Sequence, residues 1–213
     1  MYSVCHMSDS DTLLVCSREN GPDYSKWLVA LSRNGSEWRE AQRVQTDGMG
    51  GISCALSDSR VLIGELSSTY MELFRVESGP RIARVYRIHV PEQYKWFSAT
   101  CGSDTLVAMS YQKDQSVRVH RLCGDRLEEL ALTQWQRPYY LLFLPDRLLV
   151  TDWDEDKKSD AVIELEVNGT RIERRRELIA TNENINIKRW CTVDGGLTTF
   201  DWISKDILHY SFV

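Results

Sequence analysis

The chain has 213 residues and a formal net charge of −5, with 42% hydrophobic and 27% charged residues. This acidic balance excludes the broad basic surface of most nucleic-acid-binding proteins, and the hydrophobic fraction is too high for a disordered chain. No segment approaches the ~18–20 apolar residues of a membrane span, and the start, MYSVCHMSDSD, lacks the basic and apolar parts of a secretory signal. We therefore expect a soluble, cytoplasmic protein with neither a nucleic-acid nor a membrane partner.

Runs of strand length follow one another along the chain in groups of four. In the second group they are ISCAL, RVLIGEL, YMELFRV and RIARVYRI, and in the fourth YYLLFL, RLLVTDW, AVIELEV and RIERRREL. Their β-branched and aromatic residues are typical of strands. The first two runs of a group are almost wholly apolar, which suits inner strands buried on both faces, whereas the fourth is highly charged, which suits an exposed outer edge.

A period of about 45 residues organises these groups. Glycines of hairpin type recur at Gly35, Gly79, Gly124 and Gly169, at intervals of 44 or 45 residues. Two of them stand in Asn-Gly pairs, which tolerate the positive φ of a tight hairpin. Internal repeats of about 40 to 50 residues with short strands are typical of propeller blades. The sequence predicts an all-β chain, either a β-propeller or an open propeller arc, of about five four-stranded antiparallel blades.

The repeats predict a single domain that takes up the whole chain. The expected blades lie at about 1–46, 50–90, 95–134, 138–180 and 185–213. The fifth blade is expected to lack its outer strand, because the next turn of the repeat would fall just beyond Val213. An open arc would expose apolar faces of its end blades, which soluble monomers rarely leave bare. We therefore expect a homo-oligomer joined through the terminal blades.

Two repeats share a dipeptide after their second strand, Asp152-Trp153 and Asp201-Trp202. With the runs DRLLVTDW and AVIEL, the chain resembles the NHL and WD40 class of propeller repeats, in which an Asp closes the second strand. The resemblance covers most of the chain in rhythm and the last two repeats in motif, and the Gly-His of WD40 blades is missing from this sequence. The resemblance implies that the protein is a scaffold for protein partners and does not imply a catalytic activity.

Motifs that would carry chemistry are weak. The segment 152–156 has the D-x-D-x-D opening of a calcium loop, but Lys157 stands where that loop needs Gly, and Ile163 stands where its closing Glu belongs. No G-x-S-x-G string marks a nucleophilic serine. The sequence therefore predicts no metal, no cofactor and no catalytic residue.

Aromatic residues near the connections between blades are the remaining candidates for a binding face. Their Trp, Tyr and Arg composition is typical of interface anchors, although aromatic side chains in propellers also wedge between neighbouring blades. The predicted binding residues are Tyr94, Trp96, Tyr111, Trp135, Arg137, Tyr139, Tyr140, Trp153 and Trp202.

The function predicted from the sequence is a non-enzymatic interaction or assembly module, a partial propeller that self-associates through its open end blades. Two alternatives stay open. One is a metal-dependent propeller hydrolase of lactonase type, which would use inward carboxylates, whereas the first strands of the repeats offer Cys54, Thr100, Leu142 and Trp190. The other is a lectin-like propeller that binds carbohydrate, which the loop aromatics permit.

Overall fold

The fold is built of β-strands throughout the residues that a computed structural model describes. Those residues are 3–7, 11–18, 25–47, 52–56, 59–64, 68–77, 81–101, 104–135, 137–144, 147–154, 159–180, 187–193, 196–201 and 207–211. Every regular element in these ranges is a strand. None of them contains a helix that is long and apolar enough to cross a membrane.

The described strands form five antiparallel sheets, which we call blades 1 to 5 in chain order. Blade 1 holds β1 (Ser3–Met7), β2 (Thr12–Arg18), β3 (Lys26–Asn34) and β4 (Glu37–Gln45). Blade 2 holds β5 (Ile52–Leu56), β6 (Arg60–Gly64), β7 (Tyr70–Glu77) and β8 (Arg81–His89). Blade 3 holds β9 (Trp96–Cys101), β10 (Thr105–Tyr111), β11 (Ser116–Cys123) and β12 (Arg126–Gln134). Blade 4 holds β13 (Pro138–Phe143), β14 (Leu148–Asp154), β15 (Ser159–Asn168) and β16 (Arg171–Ala180). Blade 5 holds β17 (Ile187–Val193), β18 (Gly196–Asp201) and β19 (Ile207–Ser211).

The predicted fold class is confirmed, because these sheets are arranged as the blades of a propeller. In each sheet the strands pair in their chain order. The first strands of successive blades contact one another, from β1 through β5, β9 and β13 to β17. The first strand of a blade is therefore the inner one and the last is the outer edge. The outer strand β4, EWREAQRVQ, is exposed along most of its length.

The hairpins between the third and fourth strands turn at glycines, as the repeat predicts. Gly35, Gly124 and Gly169 have φ angles of 64°, 63° and 57°. This left-handed conformation is open to glycine without the clash that a Cβ atom brings. The fourth glycine of the series, Gly79, lies outside the described residues.

The described core lies between neighbouring blades, and blades 2 and 3 bury apolar side chains on both faces. One cluster joins blades 1 and 2, a second joins blades 2 and 3, and a third joins blades 3 and 4. Leu62 and Ile63, neighbours on β6, point to opposite faces of the sheet and are 0% and 1% exposed. This double burial explains why the inner runs are apolar at nearly every position instead of alternating.

Polar side chains also join neighbouring blades. The amide of Gln42 on β4 accepts a hydrogen bond from the Ile82 N–H at 2.6 Å and donates to the Ile82 carbonyl at 3.4 Å. The Ser98 hydroxyl on β9 accepts the Phe143 N–H at 2.9 Å. These bonds satisfy backbone groups where two sheets meet, and they restrict sliding of one blade past the next.

His120 on β11 makes the stability of blade 3 sensitive to acid. It is 4% exposed, and burial lowers its pKa to about 4. As the pH is lowered, the unfolded chain, whose histidine has an ordinary pKa, takes up a proton at a higher pH than the folded chain does. The free energy of unfolding should therefore decrease as the pH is lowered from about 6.5 to about 4. We expect a loss of about 2 kcal/mol between about pH 7.5 and about pH 5. Urea unfolding at the two pH values measures it, and a His120→Met variant should lose this part of the pH dependence.

Candidate functional site

Two kinds of connection come together on one side of the propeller. In a sheet whose antiparallel strands pair in chain order, the connection from the second to the third strand leaves on the same side as the connection to the next blade. We call this side the upper face. The connection 90–95, from β8 to β9, and the connection 112–115, from β10 to β11, both lie there. Loops at one end of a rigid scaffold are common places for binding and catalysis.

A depression of about 580 Å³ opens on the upper face between blades 2 and 3. We call it the blade 2/3 depression. Its volume lies within the ~300–1,000 Å³ usual for small-molecule sites. It is lined by Thr69, Pro91, Glu92, Gln93, Tyr94, Lys95, Gln112 and Lys113.

The crossing loop 90–95 is tied down at both ends. At its start the Val90 N–H donates to the Thr69 carbonyl at 2.7 Å, and at its end the Lys95 N–H donates to the Ser110 carbonyl at 2.8 Å. Its backbone is therefore bound to blade 2 on one side and to blade 3 on the other.

Tyr94 anchors this loop from below. Its side chain is 1% exposed, its ring meets that of Phe97 edge-on at 5.9 Å, and its hydroxyl lies 3.5 Å from the Tyr70 carbonyl. The hydroxyl rests where Gly64 leaves room, since a Cβ built on Gly64 would come within 2.1 Å of it. A glycine on blade 2 thus sets the floor of the depression.

The lining of the depression favours an anionic ligand. Lys95 and Lys113 carry ammonium groups that form no ion pair with any described residue. The single lining carboxylate, Glu92, pairs with Arg118 at 3.2 Å, and Arg118 itself lies outside the lining. Gln93 and Gln112 add amides that can hydrogen-bond to hydroxyl or carbonyl groups.

Arg118 on β11 joins three carboxylates beside the depression. Its Nη2 atom is 3.2 Å from Glu92 Oε2, and the same atom makes a short hydrogen bond to Asp114 Oδ2. Its Nη1 atom is 3.6 Å from Glu129 Oε2 on β12. We call these four residues the Arg118 clamp. One guanidinium thus contacts the crossing loop, the connection 112–115 and the outer strand of blade 3.

Arg118 and Asp114 each shift the pKa of the other towards the charged form, against the effect of burial. Burial works to lower the pKa of Arg118, but the hydrogen bond to Asp114 and the surrounding carboxylates raise it overall. Burial also works to raise the pKa of Asp114, yet hydrogen bonds from Ser116 and Arg118 bring it below the usual value. The pKa of Tyr111 is raised by burial, so its phenol stays neutral. Arg118 and Asp114 therefore form a charged pair at neutral pH.

Other buried carboxylates in the described part of the chain are structural. Glu72 is 1% exposed and pairs with Arg84 at 2.9 Å. Glu164 is 2% exposed and pairs with Arg176 at 3.0 Å and with Arg147 at 3.5 Å. A buried charge needs such partners to offset its lost hydration. Neither carboxylate lines the depression, and no group of three or more His, Cys, Asp or Glu in the described ranges is placed to hold a metal ion.

The structure describes some of the aromatic residues predicted as a binding face, and their environments differ. Tyr94 and Tyr111 are each 1% exposed, inside the cluster that joins blades 2 and 3. Trp96 and Tyr140 meet edge-on with ring centroids 4.4 Å apart, and both are half-buried. Tyr94 and Tyr111 therefore serve packing, because the gap between two sheets needs large apolar side chains.

The other predicted binding residues are spread more widely. Trp135 is half-buried, with the guanidinium of Arg174 5.9 Å from its ring centre. Arg137 is exposed, and its N–H donates to Asp152 Oδ1 at 2.8 Å. The side chains of Tyr139 and Trp153, and the whole of Trp202, lie outside what the structure describes. A binding role for these residues stays a prediction.

Sequence reasoning missed the charged members of the site. In the run HVPEQYKW the sequence analysis selects the aromatic residues Tyr94 and Trp96 as binding residues. The charged residues Glu92 and Lys95 of the same run line the depression. A sequence signal was present, since both charges flank the aromatic residue that anchors the loop. Lys113, which also lines the depression, belongs to another connection, and Arg118, which pairs with Glu92, belongs to strand β11. Only the fold brings them near Glu92 and Lys95.

No protein-family model and no curated protein matches the sequence. Solved structures share its fold at low identity. One is a candidate 6-phosphogluconolactonase from Bacteroides uniformis, with a TM-score of 0.60 and 10% identity over 100% of this chain and 77% of that chain. Another is a structural-genomics protein from Lactobacillus plantarum, with a TM-score of 0.63 and 11% identity over 97% of this chain and 70% of that one.

These comparisons correct the expected function. The sequence was interpreted as a non-enzymatic assembly module, with the lactonase-type hydrolase as an alternative. A protein that shares the fold over the full length of this chain is a candidate lactonase, and this favours the alternative over the scaffold. The identity is low, so the likeness itself establishes the propeller fold, and the activity has to be argued from the site.

Proposed function

We propose that this protein is a hydrolase of the lactonase class that opens a small anionic lactone in the blade 2/3 depression. The observation that carries the proposal is the lining of that depression. It holds two lysines without ion-pair partners among the described residues and one carboxylate, Glu92, beside a buried arginine. The fold shared with a candidate 6-phosphogluconolactonase adds support.

Each charged group has a role in the proposed reaction. Glu92 acts as general base: as the water oxygen bonds to the lactone carbonyl carbon, one water proton passes to the carboxylate. The bond between that carbon and the ring oxygen then breaks, and the ring oxygen takes the proton back from Glu92. One of the two lysines, Lys95 or Lys113, binds the anionic group of the substrate. The other stabilises the negative charge that develops on the carbonyl oxygen.

The direct test is hydrolysis of 6-phosphogluconolactone by the full chain, followed by acid release in a pH-stat. Lactones also open spontaneously, so the rate without protein is subtracted at each pH. We expect turnover above this background, and slower turnover of the unphosphorylated gluconolactone. A rate equal to the background for both lactones would overturn the proposal. Parallel assays with a chelator would reveal any metal requirement.

The two lysines should determine affinity for the anionic group. Lys113→Met or Lys95→Met removes a charge-assisted hydrogen bond, so we expect one of the variants to raise KM for the phosphorylated lactone about 10-fold or more. The same variant should change KM for the unphosphorylated lactone little. Arg126→Met, at an exposed hairpin on the opposite face, is the matched control for the loss of one positive charge. Equal KM values in all three variants would contradict this assignment.

Other expectations from the sequence remain predictions. The kinship with NHL and WD40 repeats is one of these predictions, and it rests on the repeated Asp-Trp pairs at 152–153 and 201–202. Light scattering across a dilution series tests whether copies associate through their terminal blades. The extent of the single domain, the cytoplasmic location and a lectin-like role await their own tests.

A further inference from the structure

We propose that Arg118 is the positioning residue that holds Glu92 in its reactive place at the blade 2/3 depression. This inference rests on the proposed function, in which Glu92 is the base. Arg118 does not line the depression and would act through the carboxylate.

Arg118 connects the two loops that line the depression. Glu92 lies on the crossing loop between blades 2 and 3, and its carboxylate is about half-exposed. Arg118 Nη2, 3.2 Å from Glu92 Oε2, is bonded at the same time to Asp114. Asp114 belongs to the connection 112–115, which supplies Gln112 and Lys113 to the other wall of the depression. The Arg118 clamp therefore sets the spacing between the two walls from which the lining residues project.

Packing and hydrogen bonds restrict the Arg118 side chain. Its side chain is 15% exposed, and its guanidinium lies over the Tyr111 ring at 4.4 Å. Its Nε atom donates to the Ser116 hydroxyl at 3.3 Å, and that hydroxyl donates to Asp114 at 2.7 Å. A planar guanidinium held by stacking and by several acceptors offers its remaining N–H groups in fixed directions.

Arg118 restricts the conformations of the Glu92 side chain on the crossing loop 90–95. A glutamate on a surface loop has several rotamers of similar energy, and only some would place its carboxylate beside a bound lactone. The ion pair with an immobile guanidinium selects one arrangement before the substrate arrives. Such preorganisation lowers the barrier of the chemical step while leaving ground-state binding almost unchanged.

The kinetic test compares Arg118→Met and Arg118→Lys with the unaltered protein. We expect Arg118→Met to lower kcat for the phosphorylated lactone about 10-fold to 100-fold with little change in KM, since small misplacements of a reacting group cost this much. Arg118→Lys should recover part of the rate, because it restores the charge without the planar fork. A change confined to KM, or a kcat equal to that of the unaltered protein, would overturn the inference.

The matched control is Arg121→Met. Arg121 lies three residues further along the same strand and on its other face. It pairs with Asp104 at 3.5 Å and with Glu128 at 3.8 Å, away from the depression. If Arg121→Met lowers kcat as much as Arg118→Met does, the effect belongs to the stability of β11, and the positioning role is wrong.

A second measurement separates this inference from the proposed function. Amide hydrogen exchange in loop 90–95 needs no substrate. Arg118→Met should speed exchange of the Lys95 amide about 10-fold, because the loop loses a hydrogen bond to a charged group, whereas Arg121→Met should not. Faster exchange in a protein without lactonase activity would reject the proposed function and keep the clamp. Unchanged exchange would reject the clamp whatever the activity.

Discussion

Replacing Glu92 with glutamine is expected to lower kcat for the anionic lactone about 100-fold to 10,000-fold, the range that a general base contributes. Glutamine keeps the shape of the side chain and its contact with Arg118, but it cannot take up the proton of the attacking water. KM should change little, because the lysines that bind the anionic group are untouched. Initial rates over a range of lactone concentrations, corrected for spontaneous opening, provide the measurement.

The control for this substitution is Glu128→Gln on β12. Glu128 is exposed on blade 3 and pairs with Arg121 at 3.8 Å, so its replacement also removes one negative charge but does not reach the depression. It should keep the kcat of the unaltered protein. Since Glu92 is half-exposed, both variants should also unfold at nearly the same urea concentration. A Glu92→Gln variant with full activity would remove Glu92 from the reaction.

Gly64→Ala is expected to destabilise the protein by about 3 kcal/mol, at the upper end of what overpacking a core costs. A Cβ atom on Gly64 would lie 2.1 Å from the Tyr94 hydroxyl and 2.9 Å from Phe97 Cε1. Neither ring can retreat freely, because both are 1% exposed between blades 2 and 3. Urea unfolding measures the loss of stability.

A double substitution identifies the cause of this effect. Tyr94→Phe removes the oxygen nearest to the new methyl group, including its long contact of 3.5 Å with the Tyr70 carbonyl. Tyr94→Phe in the Gly64→Ala background should therefore recover part of the lost stability, while Phe97 keeps it from recovering all. Equal destabilisation with and without the hydroxyl would show that the clash with Tyr94 is not the reason.

The same substitution links the core to the candidate site. Tyr94 anchors the crossing loop that carries Glu92 and Lys95, so a methyl group on Gly64 would displace the loop as well as strain the core. We expect lactone hydrolysis by Gly64→Ala to fall even at temperatures where the variant remains folded.

Much of the fold could be predicted from local patterns. Strands, their grouping in fours and the hairpin glycines depend on properties of adjacent residues: β-propensity, charge at outer edges and the positive φ that glycine tolerates. The observed φ of 64° at Gly35 and 63° at Gly124 matches the hairpin prediction. The predicted function was wrong because it depended on the absence of recognised catalytic motifs. A site that takes its residues from different blades forms no contiguous motif in any single repeat.

The sequence by itself determined that this protein is an all-β chain of repeated four-stranded units, because repeat period, strand pattern and turn chemistry are written in neighbouring residues. Only the tertiary structure decided that Glu92 and Arg118, 26 positions apart, meet at 3.2 Å. It also decided that the Tyr94 hydroxyl packs against Gly64 while the residue lines the blade 2/3 depression. The physical reason is that adjacent blades pack face to face through side chains. Which residues meet there depends on the register and tilt of two sheets, and no local preference specifies these.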